Sequence, residues 1–396
     1  MKSQHVPTLT ILIGVMVLVA QFEIAWFLNK DWKFRLQPWN YYGVRAVLWL
    51  VWLLTAAGFA IDLLRLQYRS DVIPALISGT LIAFGTAWGF TSFLSINIYA
   101  AFRPLLRRVE RRPTAFSPAR RAAIRGTMIA ATAAPSGMVT FGGLVERTRY
   151  VVREVDFPIP DLHPDLEGLR VAQISDLHVS PFLSVREAGR VVDITNELKP
   201  NLTLVTGDLI TQSGDPLDAT IRELARLRAE AGVLGCLGNH EVYAKCEDYT
   251  TLEAAKVGID FLRMRHVPLR WGKGTLNVAG VDFQSFARRD TYLHGAEKLI
   301  VPGAANILLS HNPDVFPSSV LTGYDAMIGG HTHGGQVTVE ILNRTANLAR
   351  FFTPYVAGLY RLNGRSCYVN AGIGTIGMPV RFGAPPEITL LRLRRA

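Results

Sequence analysis

Cysteine is scarce in this 396-residue chain. Cys236, Cys246 and Cys367 are too few and too scattered for a disulfide framework or an all-thiolate zinc site. Charge is sparse as well: Asp, Glu, Lys and Arg make up 19% of the residues against 49% hydrophobic ones, which excludes a disordered chain. Acidic residues are nearly missing from the N-terminal third. Residues 1–126 carry 15 Lys/Arg and 5 Asp/Glu, whereas residues 127–396 carry 27 of each. The net charge of +10 therefore lies wholly in the apolar third, where it reads as a membrane-topology signal rather than as a polyanion-binding one. The balanced remainder lacks the basic excess that a nuclease groove needs, so no nucleic-acid partner is expected. No protein partner is evident either.

What the N-terminal third does contain is long apolar runs. A helix needs roughly 20 apolar residues to cross a bilayer. Four stretches qualify, at about 8–28, 44–64, 72–102 and 126–145, and residues 1–145 are expected to be a transmembrane domain. The last stretch is rich in Ala, Gly, Thr and Ser. Between the third and fourth stretches lie Arg103, Arg107, Arg108, Arg111, Arg112, Arg120, Arg121 and Arg125 against Glu110 alone. The positive-inside rule puts this loop in the cytoplasm and, after a fourth crossing, the C-terminal part outside. Arg120-Arg121 ahead of an apolar run loosely resembles a twin-arginine export signal.

Beyond Val145 the composition changes. Pro158, Pro160 and Pro164 mark a linker over 146–167, and residues 168–396 are enough for one globular core. Short β-branched runs alternate there with amphipathic patterns. Strands are expected at Arg170–Ser175, Leu202–Thr206, Gly232–Leu237, Leu276–Val281, Asn306–Leu309, Tyr324–Ile328, Ser366–Val369 and Glu387–Leu393. Helices are expected at Ser184–Leu198, Leu217–Leu227 and Tyr249–Lys256. The alternation predicts an α/β layered fold, in which polar ligands gather at the carboxyl ends of strands.

Polar residues recur at those ends. Asp176-Leu177-His178 follows the first strand, Gly207-Asp208 the second and Gly238-Asn239-His240-Glu241 the third. Ser310-His311-Asn312 and Gly330-His331-Thr332-His333 follow later ones. A lone Asp or His in such a turn is usually a turn former or helix cap, but five of the nine histidines sit at these turns. A mixture of carboxylate, imidazole and amide oxygen suits Mn, Fe or Zn, not Ca. Glu241 reads equally well as a group orienting His240 and as a first-turn helix carboxylate.

The ordered set Asp-x-His, Gly-Asp, Gly-Asn-His-Glu, His and Gly-His-x-His resembles the calcineurin-like metallophosphoesterases from about Leu169 to the C-terminus. Pro379–Glu387 resembles their bacterial membrane-anchored subgroup. The resemblance implies a four-layer α-β-β-α sandwich as a metallophosphoesterase domain over 168–396. It implies that Asp176, His178 and His333 hold one divalent metal ion and Asn239, His311 and His331 a second, with Asp208 bridging and His240 facing the substrate. It further implies a hydrolase that cleaves a phosphoester or pyrophosphate bond by attack of a hydroxide held on the two metals. With the apolar third, it places the protein in a bacterial inner membrane as a multi-pass protein. The catalytic domain is expected on the periplasmic side, and the bilayer and a phosphorylated, lipid-linked or cell-envelope substrate are its expected partners. Two alternatives are a catalytically silent metal-binding membrane sensor and a cytoplasmic-facing nucleotide-glycolipid pyrophosphohydrolase. Leu348, Phe351, Phe352, Tyr355, Val356 and Tyr360 read either as an apolar lip beside the site or as ordinary core and hairpin residues.

Overall fold

Helix breakers and helix formers alternate through the first 150 residues, and the helices follow them. The computed structural model of the protein describes residues 15, 19–27, 29–30, 37–68, 75–111, 117–341 and 344–396. They divide into two compact units, Met1–Gly143 with Gly377–Pro379, and Leu144–Ile376 with Val380–Ala396.

The first unit is helical, with α1 at Pro38–Tyr68, α2 at Ala75–Arg111 and α3 at Pro118–Leu144. In α3, Ser117 accepts the N–H of Arg120 at 3.2 Å and Pro118 takes the first turn, a start that needs no other signal. Its alanines then favour helix over every alternative. Among the described residues two stretches are both long and apolar enough to cross a membrane, Trp39–Gly58 and Pro118–Thr148. Four spans were expected. The stretch at 126–145 falls within the second, and that at 44–64 is displaced toward the N-terminus. Of the stretch at 72–102, residues 75–102 form the first part of α2, which runs on to Arg111 and mixes Gly, Ser and Thr with its aliphatic residues, and 72–74 lie outside the described residues. Much of 8–28 lies outside the described residues.

The second unit is built on two six-stranded sheets. The first has the order β1(Val151–Ile159)-β14(Glu387–Arg395)-β2(Arg170–Ile174)-β3(Leu202–Thr206)-β4(Val233–Cys236)-β5(Ile259–Phe261). The second runs β12(Gly358–Leu362)-β13(Arg365–Val369)-β9(Ala326–Gly329)-β8(Ala305–Leu309)-β7(Gly274–Gly280)-β6(Arg265–Trp271). A separate ribbon pairs β10(Thr338–Ile341) with β11(Arg344–Asn347). The inner faces meet in one core, where Val171, Leu204 and Leu234 of one sheet are buried with Val278, Ile307 and Ile328 of the other. Truncating such a residue to Ala typically costs about 2–5 kcal/mol. Helices α4(Val185–Glu197), α5(Leu217–Leu224) and α7(Glu247–Lys256) cover the outside of the first sheet. Helix α8(Phe316–Thr322) and short 3-10 turns cover the second. The layers are therefore α-β-β-α. In α4 a capping box between Ser184 and Glu187 fixes the start.

The segment 146–167, expected as a linker, contains the nine-residue β1, paired in parallel along β14. Its Pro158 reads as a strand breaker, but β1 is an edge strand, where a missing N–H is tolerated. The parallel strands β2, β3 and β4 of the first sheet and β7, β8, β9 and β13 of the second all end at one edge of the sandwich. The candidate residues follow those ends.

Candidate metal centre

The turns at that edge are tight. Asp176, His178, Asp208, His331 and His333 all have positive φ, between 48° and 75°, an uncommon conformation for residues with a side chain. Such strain persists only where the surroundings hold it. At the end of β3 the hold is visible. Gly207, with φ of 86°, packs so closely that a Cβ there would lie 2.6 Å from the Gly238 nitrogen and 2.7 Å from Nδ1 of His311. A Cβ on Gly238 would overlap Oδ1 of Asp208.

These turns bring seven of the eight candidate side chains into one cluster. Their donor atoms form three overlapping groups, each within 4.8 Å: Asp176, His178 and His333; His178, Asp208 and His240; Asp208, His311 and His331. Asp208 and His178 are shared between groups. Asn239, the eighth, begins α6(Asn239–Ala244) and is buried beside His240. Oδ2 of Asp208 lies 3.0 Å from Nε2 of His311 and 3.5 Å from Nε2 of His178. Oδ1 of Asp176 lies 3.4 Å from Nε2 of His333.

The backs of the rings are fixed by the frame. Nδ1 of His311 faces the Thr206 carbonyl at 2.6 Å, and Nδ1 of His178 faces the Thr211 hydroxyl at 3.2 Å. Nδ1 of His240 faces the Thr211 carbonyl at 2.5 Å. The N–H of His331 donates to both oxygens of Asp176, at 3.0 and 3.1 Å. The face at the mouth is aromatic. Phe283 and Phe286 pack against His331, and Tyr243 packs edge-on against His240.

Electrostatics sharpen the picture. Burial alone would raise the Asp208 carboxyl, but the imidazoles of His311 and His240 hold it well below the usual carboxylate range. Burial opposes the charge on His311 too, yet Asp208 and Asp176 push it up to about 10. Burial, with His311 beside it, takes His331 down to about 3. Burial, with His178 and Arg381 nearby, holds His333 well below its ordinary value. Burial likewise lowers His178.

Three buried ligand atoms in this cluster make no hydrogen bond of regular geometry, although two of them face the Asp208 carboxylate: Nε2 of His178, Nε2 of His311 and Oδ1 of Asn239. A buried acceptor left unmatched costs roughly 1–3 kcal/mol. Two imidazole nitrogens and an amide oxygen, set among two carboxylates, are matched by divalent cations. The donor set therefore fits metal ions.

Two residues here do more than their motifs suggest. Glu241 does not orient His240. Its Oε2 accepts the N–H groups of Gly238 at 2.8 Å and Asp208 at 3.0 Å, and its Oε1 that of Leu209 at 2.7 Å. It is a first-turn carboxylate, as one of its two readings had it, and it also ties α6 to the Asp208 turn. Arg381 is fully buried. It donates to the carbonyls of Gly374 at 2.6 Å, Ala371 at 2.9 Å, Ala384 at 2.9 Å and His333 at 3.4 Å. The one signal for it in the sequence is an arginine amid Pro and Gly in Pro379–Glu387.

Residues 169–335 match the family described as calcineurin-like phosphoesterase. The chain is 30% identical over 261 residues to a transmembrane protein with metallophosphoesterase domain from Danio rerio, across 62% of this chain and 57% of that protein. It is 28% identical over 247 residues to an uncharacterized metallophosphoesterase of Campylobacter jejuni, across 61% of this chain and 63% of the other. A Bacillus subtilis metallophosphoesterase is 28% identical over 256 residues, across 63% of this chain and 86% of its own length. The chain thus spans less than two thirds of the first two relatives. The likeness is not confined to bacteria.

Proposed function

Residues 169–335 form a calcineurin-like phosphoesterase domain, and on that footing we propose that the protein is a membrane-anchored, metal-dependent hydrolase of phosphate esters or pyrophosphates. The observation that carries the reading is the convergence of seven candidate side chains, with Asn239 beside them and buried ligand atoms of His178, His311 and Asn239 that make no regular hydrogen bond. Asp176, His178 and His333 would hold one divalent ion and Asn239, His311 and His331 the other, with Asp208 between them. Mn, Fe or Zn suits this donor set. When bound, the ions supply an activated water and draw charge from the phosphoryl oxygens.

The chain's own residues do the rest. The frame fixes each imidazole through its rear nitrogen, so little reorganisation is needed on binding. His240 donates from Nδ1 to the Thr211 carbonyl, which holds the ring in place. Its Nε2 would then deliver the proton that a leaving alkoxide needs. Phe286 and Tyr243, packed on His331 and His240, would flank the departing group.

Membrane attachment rests on the candidate spans Trp39–Gly58 and Pro118–Thr148 and on the likeness to the Danio rerio transmembrane protein. Four crossings, with the arginine-rich segment before Pro118 in the cytoplasm, would set the domain on the periplasmic face of an inner membrane. A lipid-linked or cell-envelope phosphate is the substrate class available there.

The test uses the purified full chain. It should bind divalent metal and hydrolyse a bis-aryl phosphodiester with Mn(II). His240→Ala should slow esters with alkoxide leaving groups by roughly 10²–10⁴-fold, and nitrophenyl esters far less, because nitrophenolate departs without a proton. Absence of both metal and turnover in the folded protein rejects the reading. A topology reporter fused after Ala396 checks which side the domain faces.

A further inference from the structure

Within the second unit, the path of the chain brings its first strand to the edge that carries the cluster. Strand β14 runs antiparallel to β2, with Thr389 opposite Gln173, and β1 runs parallel to β14, with Val151 opposite Glu387. The first residue of β1 therefore lies at the edge where β2 ends and the Asp176 turn begins. The neighbouring hydrogen bonds agree. Val151 donates to Pro386 at 2.8 Å, Ile373 to Ser175 at 3.0 Å and Gly374 to Asp176 at 2.7 Å. Six residues separate Leu144 from Val151, a reach of at most about 25 Å. The second unit is therefore entered at its metal edge.

The surface of this edge is what a bilayer would meet. Phe351 and Phe352 are 84% and 79% exposed, whereas Val356 is buried and Tyr355 and Tyr360 pack on the core beside them. The lip and core readings of this segment thus separate residue by residue. The pair is attached to the site. It follows Asn347, whose Nδ2 donates at 2.8 Å to the carbonyl of Gly334, next to His333. The ribbon bearing it is joined to Phe382 through Thr338, at 2.7 Å, and the neighbouring Gly383 donates at 3.0 Å to Glu146, within the entering segment. The metal turn, the exposed phenylalanines and the entry of the chain therefore share one rim. Exposed Arg149 and Arg350 add positive charge to it, suited to anionic headgroups.

We propose that this rim rests on the surface of an anionic bilayer, with Phe351 and Phe352 entering the headgroup layer, so that the site opens onto phosphates carried by lipids of the same membrane. Aromatic rings at this depth keep an apolar body in contact with acyl chains. Seating the rim fixes the distance between the cluster and the headgroup phosphates. The substrate half of the proposal rests on the hydrolase reading. The seat itself does not.

The experiment uses the full chain in vesicles of phosphatidylglycerol and phosphatidylethanolamine. A bimane label on Phe352→Cys, in a Cys246→Ser background, should be quenched at least two-fold by brominated acyl chains. The same label on Leu321→Cys, an exposed site on α8, should not be. The Phe351→Ser/Phe352→Ser double variant should keep turnover of a soluble bis-aryl phosphodiester within two-fold and lose at least ten-fold on a nitrophenyl phosphodiester lipid in the vesicles. No quenching at 352, with normal soluble turnover, overturns the seat and leaves the hydrolase standing. Equal losses on both substrates overturn it too, because the pair would then be structural. Quenching in a protein without any turnover sustains the seat and rejects the hydrolase.

Discussion

The backbone N–H of His240 donates to Oδ1 of Asp208 at 2.8 Å, while Oδ2 of the same carboxylate lies 3.0 Å from Nε2 of His311. One oxygen is tied to the helix that carries the proposed acid, and the other is turned into the cluster. Taking this carboxylate away leaves two rear-anchored imidazoles with no anion between them. Asp208→Ala should lower metal-dependent turnover by at least about 100-fold and reduce the bound metal per chain, with the far-ultraviolet circular dichroism unchanged. Full metal content with near-normal turnover would refute a bridging role.

Glu241 holds three backbone N–H groups at once, from Gly238, Asp208 and Leu209. Glu241→Ala orphans all three in a buried turn, where each unsatisfied donor costs roughly 1–3 kcal/mol. The variant should unfold several degrees lower and bind metal about 10–100-fold more weakly, the usual effect of losing a group that positions a ligand. A thermal scan and a metal titration read these separately. A variant with unaltered metal affinity would reduce Glu241 to a helix cap.

Much of this site is legible in the chain because each turn follows a short β-branched strand. Leu202–Thr206 appears with its observed limits, and Ser184 and Leu198 flank α4 as its caps. The strand ends converge because parallel strands in one sheet point the same way, which the alternation of elements already implies. What is not legible depends on distant partners. Strand β1 exists through its nine-residue register with β14, more than 200 residues later. Ile259–Phe261 is too short to show a period. Arg265–Trp271 alternates only weakly, since neither of its faces is fully buried. Glu241 was ambiguous for a similar reason: the amides it accepts lie partly in its own turn and partly across the sheet.

The imidazoles set a pH dependence for the metal-free protein. Folding lowers the affinity of His178, His331 and His333 for protons and raises that of His311. Near pH 5 the unfolded chain carries protons on all four rings, since an ordinary imidazole titrates near 6.5, whereas in the folded chain His178, His331 and His333 hold theirs less tightly and His311 keeps its own. The unfolded state then binds more protons than the folded one, so stability falls as the pH drops below about 6.5. The His311 contribution runs the other way. It is fully present below pH 6.5 and is lost as the pH rises toward about 10. Urea midpoints of metal-free protein should therefore peak near neutrality and fall more steeply on the acid side. Saturating metal should flatten the acid limb near neutrality, because bound ions compete with those protons. A midpoint that rises steadily from pH 7 to pH 5 would contradict the arrangement.

Arg381 supports the same cluster from behind. Its guanidinium is enclosed by the carbonyls of Ala371, Gly374, Ala384 and His333, and burial takes it down to about 10. It is still a cation at neutral pH, so burying it is worthwhile only because its fork satisfies several carbonyls together. Those carbonyls belong to the segments that flank Asp176 and His333. Ile373 and Gly374 hydrogen-bond the Ser175 and Asp176 carbonyls. Arg381→Met should free the carbonyls, loosen both turns and weaken metal binding by about 10–100-fold. Arg381→Lys, a point charge with three donors, should recover part of that affinity but not all of it. The soluble-substrate KM should change less than the metal affinity, since the guanidinium is buried away from the mouth. If the Met variant binds metal as tightly as the parent, Arg381 is a packing residue with no hold on His333. If the Lys variant is no better than Met, the positive charge at this position does not matter, and the carbonyls are held by the planar fork alone.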